Sequence, residues 1–131
     1  MPLGVLGMRV TEALSLFVPK ADEWLNSNMR LHRMVKANRV RAWREAAAAA
    51  VTGWEPFVGP VRIEAHIYKP RRGRYDPNNL NTTTKACVDG FVDAGILADD
   101  DWNHVIGPDH RHGGIGDPGI LFLFEQVLKN T

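Results

Sequence analysis

The stretch Arg71-Arg72-Gly73-Arg74-Tyr75-Asp76-Pro77-Asn78-Asn79-Leu80, with the segment that follows it to Asp99-Asp100-Asp101, decides how this chain is read. From about Thr82 to Ala94 the pattern is helical, with Lys85 alone among apolar and acidic residues, and Gly95 stops it. Ile96-Leu97-Ala98 then leads into the acidic triplet. Two acidic clusters therefore sit at opposite ends of one helix, and a basic loop precedes the first. Carboxylates grouped with one another repel and need a cation to be tolerated. Anion-binding residues beside a divalent-metal site suit phosphodiester chemistry.

Working outward, Val61 to Lys69 is the clearest strand, because Val61, Ile63, Ala65 and Ile67 alternate with Arg62, Glu64, His66 and Tyr68. Pro70 ends it, so Asp76 falls between a strand and a helix, a place where function often sits. Arg9 to Val18 reads as an earlier strand, with Leu14, Leu16 and Val18 on one face. Lys20 to Asn38 shows no clean period and reads as a basic, Asn-containing loop. Asn38 is placed to cap a helix running to about Val51, with Val40, Trp43, Ala47 and Ala50 on one stripe. Trp102 to Arg111 reads as a short strand or extended segment, and Gly113 to Gly119 as a glycine-rich turn. Ile120 to Val127 closes the pattern as a strand with apolar residues on both faces, which fits a central strand or one covered by a partner. The expected fold is α+β: a single domain over residues 9–131, with a mixed sheet of about four strands, two main helices and a loose tail over residues 1–8.

Composition bounds the function. The 131 residues suffice for one domain with a real core. Net charge is +1, yet ten of the 16 basic residues fall between Arg30 and Arg44 or between Lys69 and Arg74. Residues 89–101 hold five acids and no base. That segregation suits a metal-dependent enzyme acting on a polyanion. The one cysteine, Cys87, excludes a disulfide within the chain and a multi-Cys zinc site, and it falls on the apolar side of its helix as a small hydrophobe. No apolar run approaches the ~20 residues of a membrane span, so the expected compartment is the cytoplasm.

Residues 76–100 resemble the RusA family of Holliday-junction resolvases, small metal-dependent endonucleases found largely in phages and prophages. The residues that carry the likeness are Asp76, Asn78, Asn79, Leu80, Lys85, Asp89, Gly90, Phe91, Ala94, Gly95, Asp99 and Asp100. The resemblance implies a RusA-like fold, Mg²⁺ (or Mn²⁺) as cofactor, a homodimer, and branched DNA such as a four-way junction as substrate, in a bacterial or phage-infected cell. It implies catalytic roles for Asp76, Asn78, Lys85 and Asp100, and metal ligation by Asp76, Asn78, Asp99 and Asp100. It also raises Asn28, Arg30, Arg33 and Lys36, together with Arg71, Arg72 and Arg74, as DNA contacts. Two departures matter: where the family has a second Asp, this chain has Asn78, and Asn79 lies farther from Lys85 than in the shortest family members. An amide keeps an oxygen ligand and loses its charge. A unit charge ~4 Å from another is worth about 4 kcal/mol at an effective dielectric near 20, so weakened metal binding and slow cleavage are expected.

Plainer readings stand beside these. Asp76-Pro77 also suits a turn, the acidic triplet a solvated loop, and Lys85 an ion pair with Asp89 one turn on. Asn79 suits either a helix cap or a group that orients a metal ligand. His110 and His112, with His104, offer a weak alternative zinc site. A DNA-binding protein that has lost cleavage, and an unrelated metal-dependent phosphoesterase, are the competing functions.

Overall fold

A computed structural model describes residues 8–129. The elements in order are β1 (Met8–Pro19), α1 (Arg33–Ala50), β2 (Val61–Lys69), a 3-10 turn (Pro77–Leu80), α2 (Asn81–Asp93), β3 (Val105–Ile115) and β4 (Gly119–Lys129). The alternation in β2 sets the core side: Val61, Ile63, Ala65 and Ile67 are buried, and the residues between them are not. The sheet order is β1-β4-β2-β3, with β4 antiparallel to both β1 and β2, and β2 parallel to β3. This is the expected α+β domain with a four-stranded mixed sheet and two main helices. Among the described residues no helix is long and apolar enough to cross a membrane.

β4 lies inside the sheet, between β1 and β2. Ile120, Phe122 and Phe124 pair in register with Ile67, Ala65 and Ile63, and all six are fully buried under the helices. Phe91 of α2 meets Phe122 and Phe124 edge-on, with ring centroids 5.1 and 5.4 Å apart. Trp43 and Ala47 bring α1 to the same core. On the opposite face Leu121 and Leu123 are half-buried, and Phe17 and Tyr68 approach edge-to-face beside them. Cys87 is fully buried, and burial pushes its thiol far above the ordinary range. It packs as the expected small hydrophobe.

The two helices touch most closely at Gly90, where a Cβ would fall 2.2 Å from the backbone oxygen of Arg44. Beside this crossing Arg44 grips Asp93 through paired bonds of 2.5 and 2.8 Å. Gly95 then ends α2 with φ +86°, a conformation that costs glycine nothing. The Ile96 amide donates to the Phe91 carbonyl at 3.2 Å, closing the helix in a Schellman-type cap and aiming the chain toward the acidic triplet.

Three boundaries differ from the sequence reading. α1 begins at Arg33, not Asn38, because the His32 ring accepts the Met34 amide at 3.1 Å and serves as cap. Its first turns are exposed from Arg33 through Asn38, so no apolar period marks them. Arg33 and Lys36 therefore stand on a helix, not in a loop. β3 continues through Gly113 and Gly114 to Ile115, and the turn shrinks to residues 116–118. Gly113 serves close packing: a Cβ there would lie 2.6 Å from the Tyr68 ring. Met8 lies in β1, and the rest of the expected tail, residues 1–7, falls outside the described residues.

Gly90→Ala should destabilise the fold by about 1–3 kcal/mol, the usual cost of overpacking, because backbone and not a flexible side chain blocks the added methyl. Urea unfolding followed by circular dichroism measures it; an unchanged midpoint would place the helices farther apart than described.

Candidate functional site

Three of the functional candidates, Lys36, Lys85 and Asp100, meet where the first halves of α1 and α2 face β3. A cleft of about 580 Å³ opens there, lined by Lys36 of α1, Lys85 and Asp89 of α2, Asp100 of the acidic turn and His110 of β3, over an apolar floor that includes Val40 and Val88. Lys85 Nζ donates to Asp100 Oδ2 at 2.9 Å and lies 3.5 Å from Asp89 Oδ1. The ammonium thus sits between two carboxylates whose charges would otherwise repel. The hydrogen bond to Asp100 raises the Lys85 pKa, with the charges of Asp89 and Asp100 adding to it. The same bond and the Lys85 charge hold the Asp100 carboxyl below its ordinary range. Near neutral pH, Lys85 is a cation and donor and not a base, while Asp100 is an anion.

The three acids of the triplet have separate duties. Asp101 Oδ1 accepts from the Asn103 amide at 3.1 Å and lies 2.6 Å from His104 Nδ1. Its carbonyl accepts the His104 and Val105 amides at 3.0 and 2.9 Å. Asp101 therefore builds the turn into β3. Asp99 Oδ1 accepts the Asp100 amide at 2.7 Å, and Asp100 alone of the three lines the cleft.

Asp76 caps the 3-10 turn ahead of α2, accepting the Asn78 amide on Oδ1 at 3.0 Å. Asp76 and Asn78 are exposed and do not line the cleft, though the Asp76 charge reaches His110. The loop after β1 is tied beside this turn. The Ser27 amide donates to the Asn79 carbonyl at 2.8 Å, and buried Thr83 both accepts from the Leu25 amide (2.8 Å) and donates to its carbonyl (2.9 Å). Asn28, exposed, is thereby held near Asp76 and Asn78. Asn79 acts here through its backbone, so side-chain capping falls to Asp76.

The histidines do not form a common site. His104 meets Asp101, His110 Nε2 lies 2.8 Å from Thr84 Oγ1, and His112 Nδ1 lies 2.6 Å from the Tyr75 hydroxyl. Thr84 Oγ1 also lies 3.2 Å from the Asn81 carbonyl, to which it can donate. Burial lowers the His110 pKa, against the opposing charges of Asp109 and Asp76. Sequence reasoning singled out the histidines for zinc but missed His110 as a wall of the Lys85 cleft. It matched Asp89 to the family pattern and paired it with Lys85, but gave it no place in the site, and the four-residue spacing from Lys85 was the signal available.

Arg72 and Arg74 line a second cleft of about 550 Å³ with His112. His110 and His112 stand two residues apart on β3, a step of ~7 Å along a strand, so the basic loop adjoins the Lys85 cleft. Lys69 lies over the Tyr75 ring, 4.0 Å from its centroid, and steadies the start of this loop. Arg33, Lys36 and Arg41 line a shallow groove along α1 that continues from the main cleft. Among the described residues, the ion pairs include none of Arg30, Arg33, Lys36, Arg71, Arg72 or Arg74. Their charge is open to an anionic ligand.

Among the described residues, no three His, Cys, Asp or Glu side chains gather as a metal cage. Of the expected ligands Asp76, Asn78, Asp99 and Asp100, Asp100 lines the cleft. What the donors fit is an open site of the Mg²⁺ kind, with one or two carboxylates and the remaining positions left to water and phosphate. Asp100 with Asp89 meets that description, and the Lys85 ammonium already answers their demand for a cation. No family model matches the chain, and no curated protein matches it.

Lys85→Met should leave Asp89 and Asp100 without their cation. Differential scanning fluorimetry should then show a lower metal-free melting temperature and a larger Mg²⁺-induced rise than in the parent protein. Equal Mg²⁺ responses in both proteins would separate Lys85 from any metal site.

Proposed function

We propose that this chain is a Mg²⁺-dependent, structure-selective endodeoxyribonuclease of the RusA kind that hydrolyses phosphodiester bonds in branched DNA, four-way junctions above all, in the cytoplasm of a bacterial or phage-infected cell. The observation that carries the reading is the Lys85 cleft: a lysine between two carboxylates, flanked by cations without acidic partners. A phosphodiester needs positive charge to be drawn in and oriented, and unpaired Lys36, Arg72 and Arg74 supply it on either side. Lys85, kept protonated, offers N–H donors to a phosphate oxygen and stabilises charge that develops on it. Asp100, held as an anion, and Asp89 beside it would hold a divalent ion. When bound, Mg²⁺ or Mn²⁺ supplies an acidified water and Lewis-acid stabilisation of an in-line displacement.

A second reading, a branched-DNA-binding protein without cleavage, has its own support. Asn78 replaces a charged ligand of the family pattern, and among the described residues no three-acid grouping forms. Both readings share the cationic surface and differ in turnover. A gel assay with a synthetic four-way junction and a matched linear duplex separates them. The expected result is Mg²⁺-dependent nicking of the junction and sparing of the duplex, with nicking lost in Asp100→Asn. Retardation of the junction without nicking by the parent protein would favour the binding protein. Hydrolysis of small phosphate esters with indifference to DNA would remove both.

The working form is a homodimer, because a four-way junction is two-fold symmetric and paired cuts need two related sites. The half-buried face of Phe17, Tyr68, Leu121 and Leu123 supports this with apolar surface opposite the helices. Sedimentation at micromolar concentration should give twice the 14.6 kDa chain mass. A single species of monomer mass would contradict the paired-cut model.

A further inference from the structure

Resting on the DNA reading above, we infer that Trp102 is a stacking platform for a nucleobase freed from its helix at the branch point. Trp102 is 83% exposed, the most exposed of the large apolar side chains among the described residues. The other tryptophans are packed: Trp43 is fully buried, Trp24 leans on it with centroids 5.1 Å apart, and Trp54 meets Phe124 at 5.6 Å. A tryptophan left in water on a loose loop would mean little, but this one stands on a built turn. Asp101 ties the turn through its carboxylate to Asn103 and His104, and through its carbonyl to the His104 and Val105 amides. Val105 in turn is buried. The indole is thus presented outward from a fixed base, two residues from the Asp100 carboxylate that meets Lys85.

The surroundings select the occupant. Protein interfaces place their aromatic anchors in fully buried cores depleted of charge. Here the neighbours Asp99, Asp100, Asp101 and Asn103 are all exposed and polar. A flat ring rimmed by polar groups fits a ligand that is itself flat, aromatic and polar at its edges. A nucleobase is such a ligand, and every base has a face that stacks without regard to sequence. Bases inside an intact duplex are already stacked, whereas those at a branch or bulge are freed at low cost. Trp102 therefore adds selectivity for DNA structure to a cleft whose cations bind any phosphate backbone. It is not itself a catalytic residue.

The test uses the whole chain, Trp102→Ala and Trp102→Phe, with Ca²⁺ in place of Mg²⁺ to hold cleavage off. Anisotropy titrations compare a four-way junction, a duplex with an unpaired bulge, and the fully paired duplex. Losing one stacked base should weaken junction and bulge binding by about five- to 150-fold and leave duplex binding nearly unchanged. Trp102→Phe should keep much of the preference. Indole emission, taken as parent minus Trp102→Phe, should be quenched by junction or bulge and not by duplex at equal occupancy. Equal losses on all three DNAs, or none, would overturn the stacking role while leaving the nuclease reading intact. A Trp102 signal that follows protein concentration without DNA would assign the indole to a second copy and overturn it too. If no DNA binds at any salt, the nuclease reading fails and this inference fails with it.

Discussion

The close approach of α1 and α2 at Gly90 is the constraint on which the site depends. Only a residue without a Cβ lets the α2 backbone reach the Arg44 carbonyl, and the Arg44–Asp93 pair fixes the helices just beyond that point. Held there, the first half of α1 carries Lys36 to the cleft while α2 carries Lys85 and Asp89. The parallel crossover from β2 through α2 to β3 supplies the remaining wall, so His110 faces the helices from the sheet edge. A larger residue at Gly90 would push apart the two helices that carry Lys36 and Lys85 to the cleft.

Electrostatics explain why this arrangement suits a polyanion. The chain is nearly neutral overall, but its charges are sorted: arginines lie along α1 and the loop after β2, and carboxylates along α2 and the following turn. Arg44 is spent on Asp93 and Lys85 on Asp89 and Asp100, while the cations bordering the clefts remain unpaired among the described residues. Burying a phosphate among unpaired cations releases counterions and costs no existing salt bridge. Lys85 is the pivot, since it satisfies both carboxylates without a ligand.

Much of the frame was legible in the sequence, because β2, α2 and β4 announce their burial through residue type. The strict alternation from Val61 to Ile67 and the helical pattern ended by Gly95 needed no tertiary information. What was not legible came from exposure and from distant contact. The first turns of α1 carry no buried residue, so nothing marked Arg33 as helical. Gly113 reads as a turn until the Tyr68 ring that it accommodates is known. Asp99, Asp100 and Asp101 are chemically identical in sequence, and only the hydrogen bonds show that Asp101 builds the turn while Asp100 meets Lys85. The partnership of His110 with Thr84 spans 26 positions and leaves no local trace.

The central claim is that Asp100 and Asp89, in the cleft among α1, α2 and β3, bind a divalent ion. Titrating the ¹⁵N-labelled chain with substoichiometric Mn²⁺ tests it directly, because the paramagnetic ion broadens nearby amide signals. Broadening should begin at Lys85, Asp89, Asp99 to Asp101 and His110, and excess Mg²⁺ should reverse it. Uniform broadening, or broadening centred on Glu64, His66 and Asp109 across the sheet, would contradict the account.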